Sequence, residues 1–261
     1  MTYETLNIEE HGAVTLLTFN RPEKLNAINL QMYSELEDFL DGVAAKTRTV
    51  GALVLTGAGR AFVAGADIGP YQTMTLAEFT AFQRRGRRVM EKLERLDCPV
   101  IAAVNGYAFG GGFELALACD VIIVDGYAKF ALPEAKLGLL PGGGGTQRLA
   151  RVVGPYVAKR MICAAETIDA QRAYELHIAT EVTPTGTVVE VALAFAQKML
   201  QDAAPLALQM AKRLVSEGLE ASLATALSME MDSTALLFAT EDKDEGIAAF
   251  VEKRAPAFQS L

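Results

Sequence analysis

Residues 100–124 read VIAAVNGYAFGGGFELALACDVIIV, and this stretch decides the fold. Val100 to Val104 is a run of β-branched and small apolar residues with no polar alternation, the pattern of a strand buried on both faces. Asn105-Gly106-Tyr107 turns the chain, and Gly110-Gly111-Gly112 opens a short helix beginning Phe113-Glu114-Leu115. A second buried strand follows at residues 121–124. Two buried strands with a short helix between them, in a chain where strands and helices alternate, argue for an α/β architecture.

Working outward, the same alternation recurs. Residues 3–9 and 14–20 read as strands joined by a turn at His11-Gly12, and residues 52–56 as a buried strand ending at Gly57. Residues 30–44 carry Met32, Leu36, Phe39, Leu40 and Val43 on one side at helical spacing, with Asn29 as the cap. A longer helix spans about 75–96. Beyond Pro155 the strand signals fade apart from residues 178–182, and helices are expected at 188–199, 205–215, 219–238 and 243–254. The organisation is therefore an α/β core over residues 1–195 and a helical region over 196–261, with no strict internal repeat and no low-complexity linker between them.

Composition narrows the chemistry. The chain has 261 residues, 24 basic and 32 acidic side chains, a formal charge of −8 and 51% hydrophobic residues, so it is an ordinary globular chain without a general footprint for nucleic acid or anionic membranes. Cys98, Cys119 and Cys163 are widely spaced, and His11 and His177 are the only histidines. Neither a disulfide framework nor a zinc site is expected, and the thiols read as reduced. The N-terminal residues lack the basic start and apolar stretch of a signal peptide, and the longest apolar region is broken by Asn105, Glu114 and Asp120, so a cytoplasmic location is expected, with no membrane partner.

Three glycine-rich places could hold chemistry: residues 57–67, 110–112 and 141–145. None is a dinucleotide fingerprint, a phosphate-binding loop or a nucleophile elbow, and each alone could be only a tight turn. Glycines at a helix start, however, leave N–H groups unpaired and let a ligand approach the backbone. A second donor from the Ala64-Gly65-Ala66-Asp67-Ile68 stretch would complete a pair of amides able to stabilise an enolate. Two carboxylates lie beside these sites: Glu114 in an apolar helical turn and Glu134 after Pro133. A carboxylate in apolar surroundings has a raised pKa suited to proton transfer near neutrality. The alternatives are a helix-start carboxylate favoured by the macrodipole and an exposed loop residue. Arg84-Arg85-Gly86-Arg87-Arg88 reads as a solvated helix face, and the leucines and methionines of 223–237 as packing or subunit contact.

At residues 20–27 (NRPEKLNA), 62–68 (FVAGADI), 101–120, 130–149, 240–246 and 250–254 the chain resembles the enoyl-CoA hydratase/isomerase, or crotonase, family, in order and nearly end to end. The resemblance implies a spiral of strand–strand–helix units with a C-terminal helical trimerisation region. It implies that the amides of Ala66 and Gly111 form an oxyanion hole for an acyl-CoA thioester. Glu114 would then activate water, Glu134 would exchange the proton next to the thioester, and the Gly142 amide would help to hold the water. Lys24, Ala64, Asp67 and Ile68 would line the coenzyme A site, and Phe250 and Lys253 would reach it from the tail, often of another subunit. The implied activity is hydration of a 2-enoyl-CoA to 3-hydroxyacyl-CoA, as in fatty-acid β-oxidation or a related degradation, with neither metal nor cofactor. The alternatives are an isomerase, a thioester hydrolase and a non-catalytic acyl-CoA-binding protein. Trimers paired into hexamers are expected. One departure from the family pattern, Gly69-Pro70-Tyr71, implies that the helix after it is displaced or differently aimed.

Overall fold

The computed structural model describes residues 3–259. The chain opens with β1 (Leu6–His11) and β2 (Val14–Phe19), an antiparallel pair, followed by α1 (Leu30–Ala44), β3 (Ala52–Gly57) and the short β4 (Ala61–Val63). Then come α2 (Leu76–Glu94), β5 (Val100–Val104), β6 (Tyr107–Phe109), α3 (Gly111–Leu117), β7 (Val121–Asp125) and β8 (Lys129–Ala131). After α4 (Gly145–Val153) and α5 (Pro155–Cys163) lie β9 (Ile168–Asp169), α6 (Ala170–Glu175) and β10 (Glu181–Thr183), and the chain ends in α7 (Val188–Asp202), α8 (Pro205–Gly218), α9 (Leu223–Phe238) and α10 (Glu241–Glu252).

Two sheets result, one ordered β1-β2-β3-β5-β7-β10 and the other β4-β6-β8-β9. Each of β3, β5 and β7 belongs to the first sheet and is followed within a few residues by a strand of the second. That step, taken three times with parallel pairing in both sheets, is the strand–strand–helix spiral. The uninterrupted apolar runs have a direct cause. Leu53, Leu55, Val100 and Ala102 join the main core, whereas Ala52, Val54, Ile101 and Ala103 face Val188, Ala192 and Ala196 of α7. Both faces of the sheet are covered, so alternation would be penalised. Residue 195 lies inside α7, between two alanines buried on that sheet.

Helix α1 begins where Asn29 accepts from the Met32 amide, and α2 where Thr75 and Glu78 form a capping box. Several boundaries differ from those read in the sequence. Tyr107 is not only a turn residue: residues 107–109 form β6, too short to show a period. The strand expected at 178–182 is β10 at 181–183, α9 starts at Leu223 because Ser222 caps it, and α10 starts at Glu241 because Thr240 does. In α8 and α9 no residue is buried, and Leu223, Leu227, Met231, Leu236 and Phe238 are all exposed. None of the described helices is long and apolar enough to cross a membrane.

Candidate active site

The second sheet ends where the site begins. At the end of β6, Gly110 takes φ +49° and its amide donates to the Ala131 carbonyl at 2.9 Å, tying the start of α3 to β8. A Cβ on Gly112 would lie 1.9 Å from the Val63 carbonyl oxygen, so only glycine lets α3 start this close to β4. Glu114 therefore rides on the first turn of a helix wedged between strands, and its side chain is buried.

Glu114 Oε1 accepts two backbone hydrogen bonds, from Gly143 N at 2.8 Å and Gly145 N at 2.7 Å. A Cβ on Gly143 would come within 2.8 Å of Glu114 Oε2, which explains why this loop is a glycine run. Arg148 holds the loop from behind. Its guanidinium donates to the Gly143 carbonyl and pairs with Glu94 through Nε at 2.5 Å and Nη2 at 2.8 Å. Burial pushes the Glu114 carboxyl above the usual range, while the Gly145 and Gly143 amides and the Arg148 charge pull it back. The amides bonded to Glu114 are thus those of Gly143 and Gly145. Gly142 lines the cavity and packs against the Gln83 side chain, where a Cβ would fall 2.2 Å from Nε2.

Glu134 begins a 3₁₀ turn over Glu134–Leu137, directly after Pro133. Its Oε2 is buried and has no partner among the described residues, and a Cβ on Gly110 would lie 2.8 Å from Oε1. Burial raises this carboxyl to about 7 against its own backbone amide, and repulsion from Glu114 adds to the rise. Both carboxylates line one cavity of about 290 Å³.

The same cavity is lined by Ala66 and Gly111, and neither amide has an acceptor among the described residues. Ala66 is aimed by its neighbours. Gly65 takes φ +106°, the Ile28 amide donates to the Gly65 carbonyl at 2.8 Å, and the Asp67 amide donates back to Ile28 at 2.8 Å. Arg21 braces this loop with an ion pair to Asp67 at 3.3 Å and a bond to the Ala27 carbonyl at 2.5 Å. Asp67, expected on the substrate, pairs with Arg21 and is not among the residues lining this cavity. Buried Asn26 adds bonds to the carbonyls of Ala58, Ala61 and Phe62, a brace that the sequence reading did not single out.

Of the remaining expected residues, Ala64 and Ile68 line the cavity and Lys24 is exposed on the 3₁₀ turn Pro22–Lys24. Phe250 and Lys253, at the end of α10, are exposed and line none of this cavity. Tyr33, Phe82 and Gln83 also line it, because α1 and α2 reach it only after folding, and Tyr71 of the turn Gly69–Gln72 lines it beside them. Among the described residues no group of three His, Cys, Asp or Glu side chains is placed to hold a metal ion.

A buried and a half-buried carboxylate, in one cavity with two amides that have no acceptor among the described residues, are the equipment for moving protons around a carbonyl whose oxygen becomes negative. Residues 9–260 match the enoyl-CoA hydratase/isomerase family model. The chain belongs to this family. A short-chain-enoyl-CoA hydratase of Clostridium acetobutylicum is 39% identical to this family member over 97% of both chains. A 2,3-dehydroadipyl-CoA hydratase of Escherichia coli K12 is 41% identical, covering 97% of this chain and 98% of the relative. The crystal structure of an enoyl-CoA hydratase from Bacillus anthracis superposes with a TM-score of 0.95 at 35% identity, over 99% of this chain and all of the other.

Proposed function

We propose that this family member is an enoyl-CoA hydratase, adding water across the double bond of a 2-enoyl-CoA thioester to give the 3-hydroxyacyl-CoA. The observation that carries the reading is the pairing in one cavity of Glu114 and Glu134 with the free amides of Ala66 and Gly111. In this reading the thioester oxygen accepts from the two amides. Glu114 takes a proton from water as its oxygen attacks C3. The electron pair of the C2–C3 double bond moves towards the carbonyl, and the amides hold the resulting enolate charge. Glu134 then gives its proton to C2, leaving the pair's charge unchanged, and the starting protonation returns once the proton on Glu114 passes to solvent and Glu134 regains one. Lys24, Ala64 and Ile68 are proposed to line the coenzyme A path.

The cavity lining includes no lysine, arginine or histidine. An acyl group ending in a carboxylate would find no countercharge there, which favours a neutral acyl group. The exposed apolar residues of α9 and α10, including Phe250 at 85% exposure, support the further proposal that these helices pack in a trimer, with Phe250 and Lys253 serving a neighbour's site.

The test is the loss of enone absorbance when purified protein meets crotonyl-CoA, with the product identified by mass. A gain of 18 Da with the thioester intact supports hydration. Free thiol would mark a hydrolase, and unchanged crotonyl-CoA with turnover of the 3-enoyl ester an isomerase.

A further inference from the structure

Beside the carboxylate cavity lies a second, apolar cavity of about 520 Å³ under the start of α2. The two share the wall residues Ile68, Tyr71, Leu137 and Leu139. Phe79 lines only the outer cavity of the two, and Phe82 only the inner. The Tyr71 ring stands between them, edge-on to Phe79 with centroids 5.3 Å apart and to Phe82 at 5.9 Å. Such edge-to-face contacts on two sides hold a ring in one orientation. Its backbone is fixed as well, in the 3₁₀ turn Gly69–Gln72 with Pro70 in the first positions. The outer cavity carries no charged lining residue, and Leu76 and Leu137 are exposed on it, the makings of a place for hydrocarbon.

We propose that Tyr71 is the end wall of the acyl site, closing the passage from the carboxylate cavity into the outer apolar cavity and so restricting the protein to short acyl chains. The proposal rests on the acyl-CoA reading above. It assigns chain-length selection to one side chain of the Gly69-Pro70-Tyr71 turn, and makes the outer cavity the place where the distal carbons of a longer chain would lie if the ring were removed.

The experiment measures hydration of four-carbon and ten-carbon 2-enoyl-CoA esters, and calorimetric binding of butyryl-CoA and decanoyl-CoA, for wild type, Tyr71→Ala, Tyr71→Leu and Tyr71→Phe. Wild type is expected to favour the short ester in both measurements. Tyr71→Ala is expected to move the short-to-long ratio by about tenfold or more towards the long ester, the scale on which a hydrophobic pocket discriminates. Tyr71→Phe keeps the ring and is expected to keep the wild-type ratio. Tyr71→Leu reports the same shift if the alanine variant fails to fold, with retained butyryl-CoA binding as the sign of an intact site. A ratio unmoved by Tyr71→Ala and Tyr71→Leu, or a wild type that takes both lengths equally, overturns the proposal. Binding separates the two readings: absent hydration of every ester with a ratio shift in binding overturns the hydratase and keeps the wall.

Discussion

Glu114 rides the first turn of a helix and places one oxygen on two backbone amides, whereas Glu134 sits in a single 3₁₀ turn with a buried oxygen that no described donor meets. Burial raises both carboxyls above their ordinary values. What differs is the opposition to that rise. The amides of Gly143 and Gly145 and the charge of Arg148 favour the ionised form of Glu114, and no described residue does the same for Glu134 Oε2. The proposed division of work, in which Glu114 accepts a proton from water and Glu134 carries one to carbon, rests on this difference in partners.

The largest effect expected from breaking this comparison comes from Glu114→Gln and Glu134→Gln, each lowering hydration of crotonyl-CoA by about 10² to 10⁴-fold. Near-normal turnover in either variant would remove that residue from the proton transfers. Next is Gly143→Ala. The new methyl would meet Glu114 Oε2 at 2.8 Å and displace the carboxylate from its amides, with an expected loss on the order of 10²-fold in kcat. If this variant matches wild type, the glycine loop does not position Glu114.

The pH profile sharpens the comparison. Hydration uses protonated Glu134 and the reverse dehydration uses its ionised form. With Glu134 at about 7, kcat/KM for hydration is expected to fall as pH rises past that value, by about tenfold per unit at the limit. Dehydration needs the same total proton count, with the proton on Glu114 instead of Glu134. A hydration that releases no proton has a pH-independent equilibrium constant, so kcat/KM for dehydration is expected to follow the same profile. A hydration profile flat from pH 6 to 9 would refute the assignment.

The smallest expected effect is on stability. Glu134 has its folded pKa raised above the unfolded carboxylate value, so the folded state binds more protons and stability declines with rising pH between those values. Glu134→Gln removes this penalty, and its unfolding midpoint is expected to exceed that of wild type at pH 8 by a few degrees and to match it near pH 4. Equal midpoints at both pH values would contradict the burial argument.

Much of the scaffold was legible because its signals are local. Helix α1 runs over Leu30–Ala44 behind Asn29, as its spacing and cap predict, and the buried strands β3 and β5 stand where the apolar runs do. Strands β4, β6, β8 and β9 span two or three residues each, less than the pattern needs to declare a period. Helices α4 to α6 were also missed, since their short segments bury few residues.

Of the site, the sequence by itself determined which pieces exist: two glutamates, a glycine-opened helix, a glycine loop and a second loop at Gly65-Ala66. Tertiary structure decided which of them meet. Gly143 and Gly145 lie 29 and 31 residues beyond Glu114 and reach its carboxylate only because α3 and α4 pack together, while Gly142 beside them turns to Gln83. Asp67 meets Arg21, and Tyr71 meets Phe79 and Phe82 of α2, only in the folded chain. The reason is physical. Caps and periods are written in neighbouring residues, whereas a cavity, the field on a buried carboxylate and a cluster of aromatic rings are made by residues that only the packing of sheets and helices brings within a few ångströms.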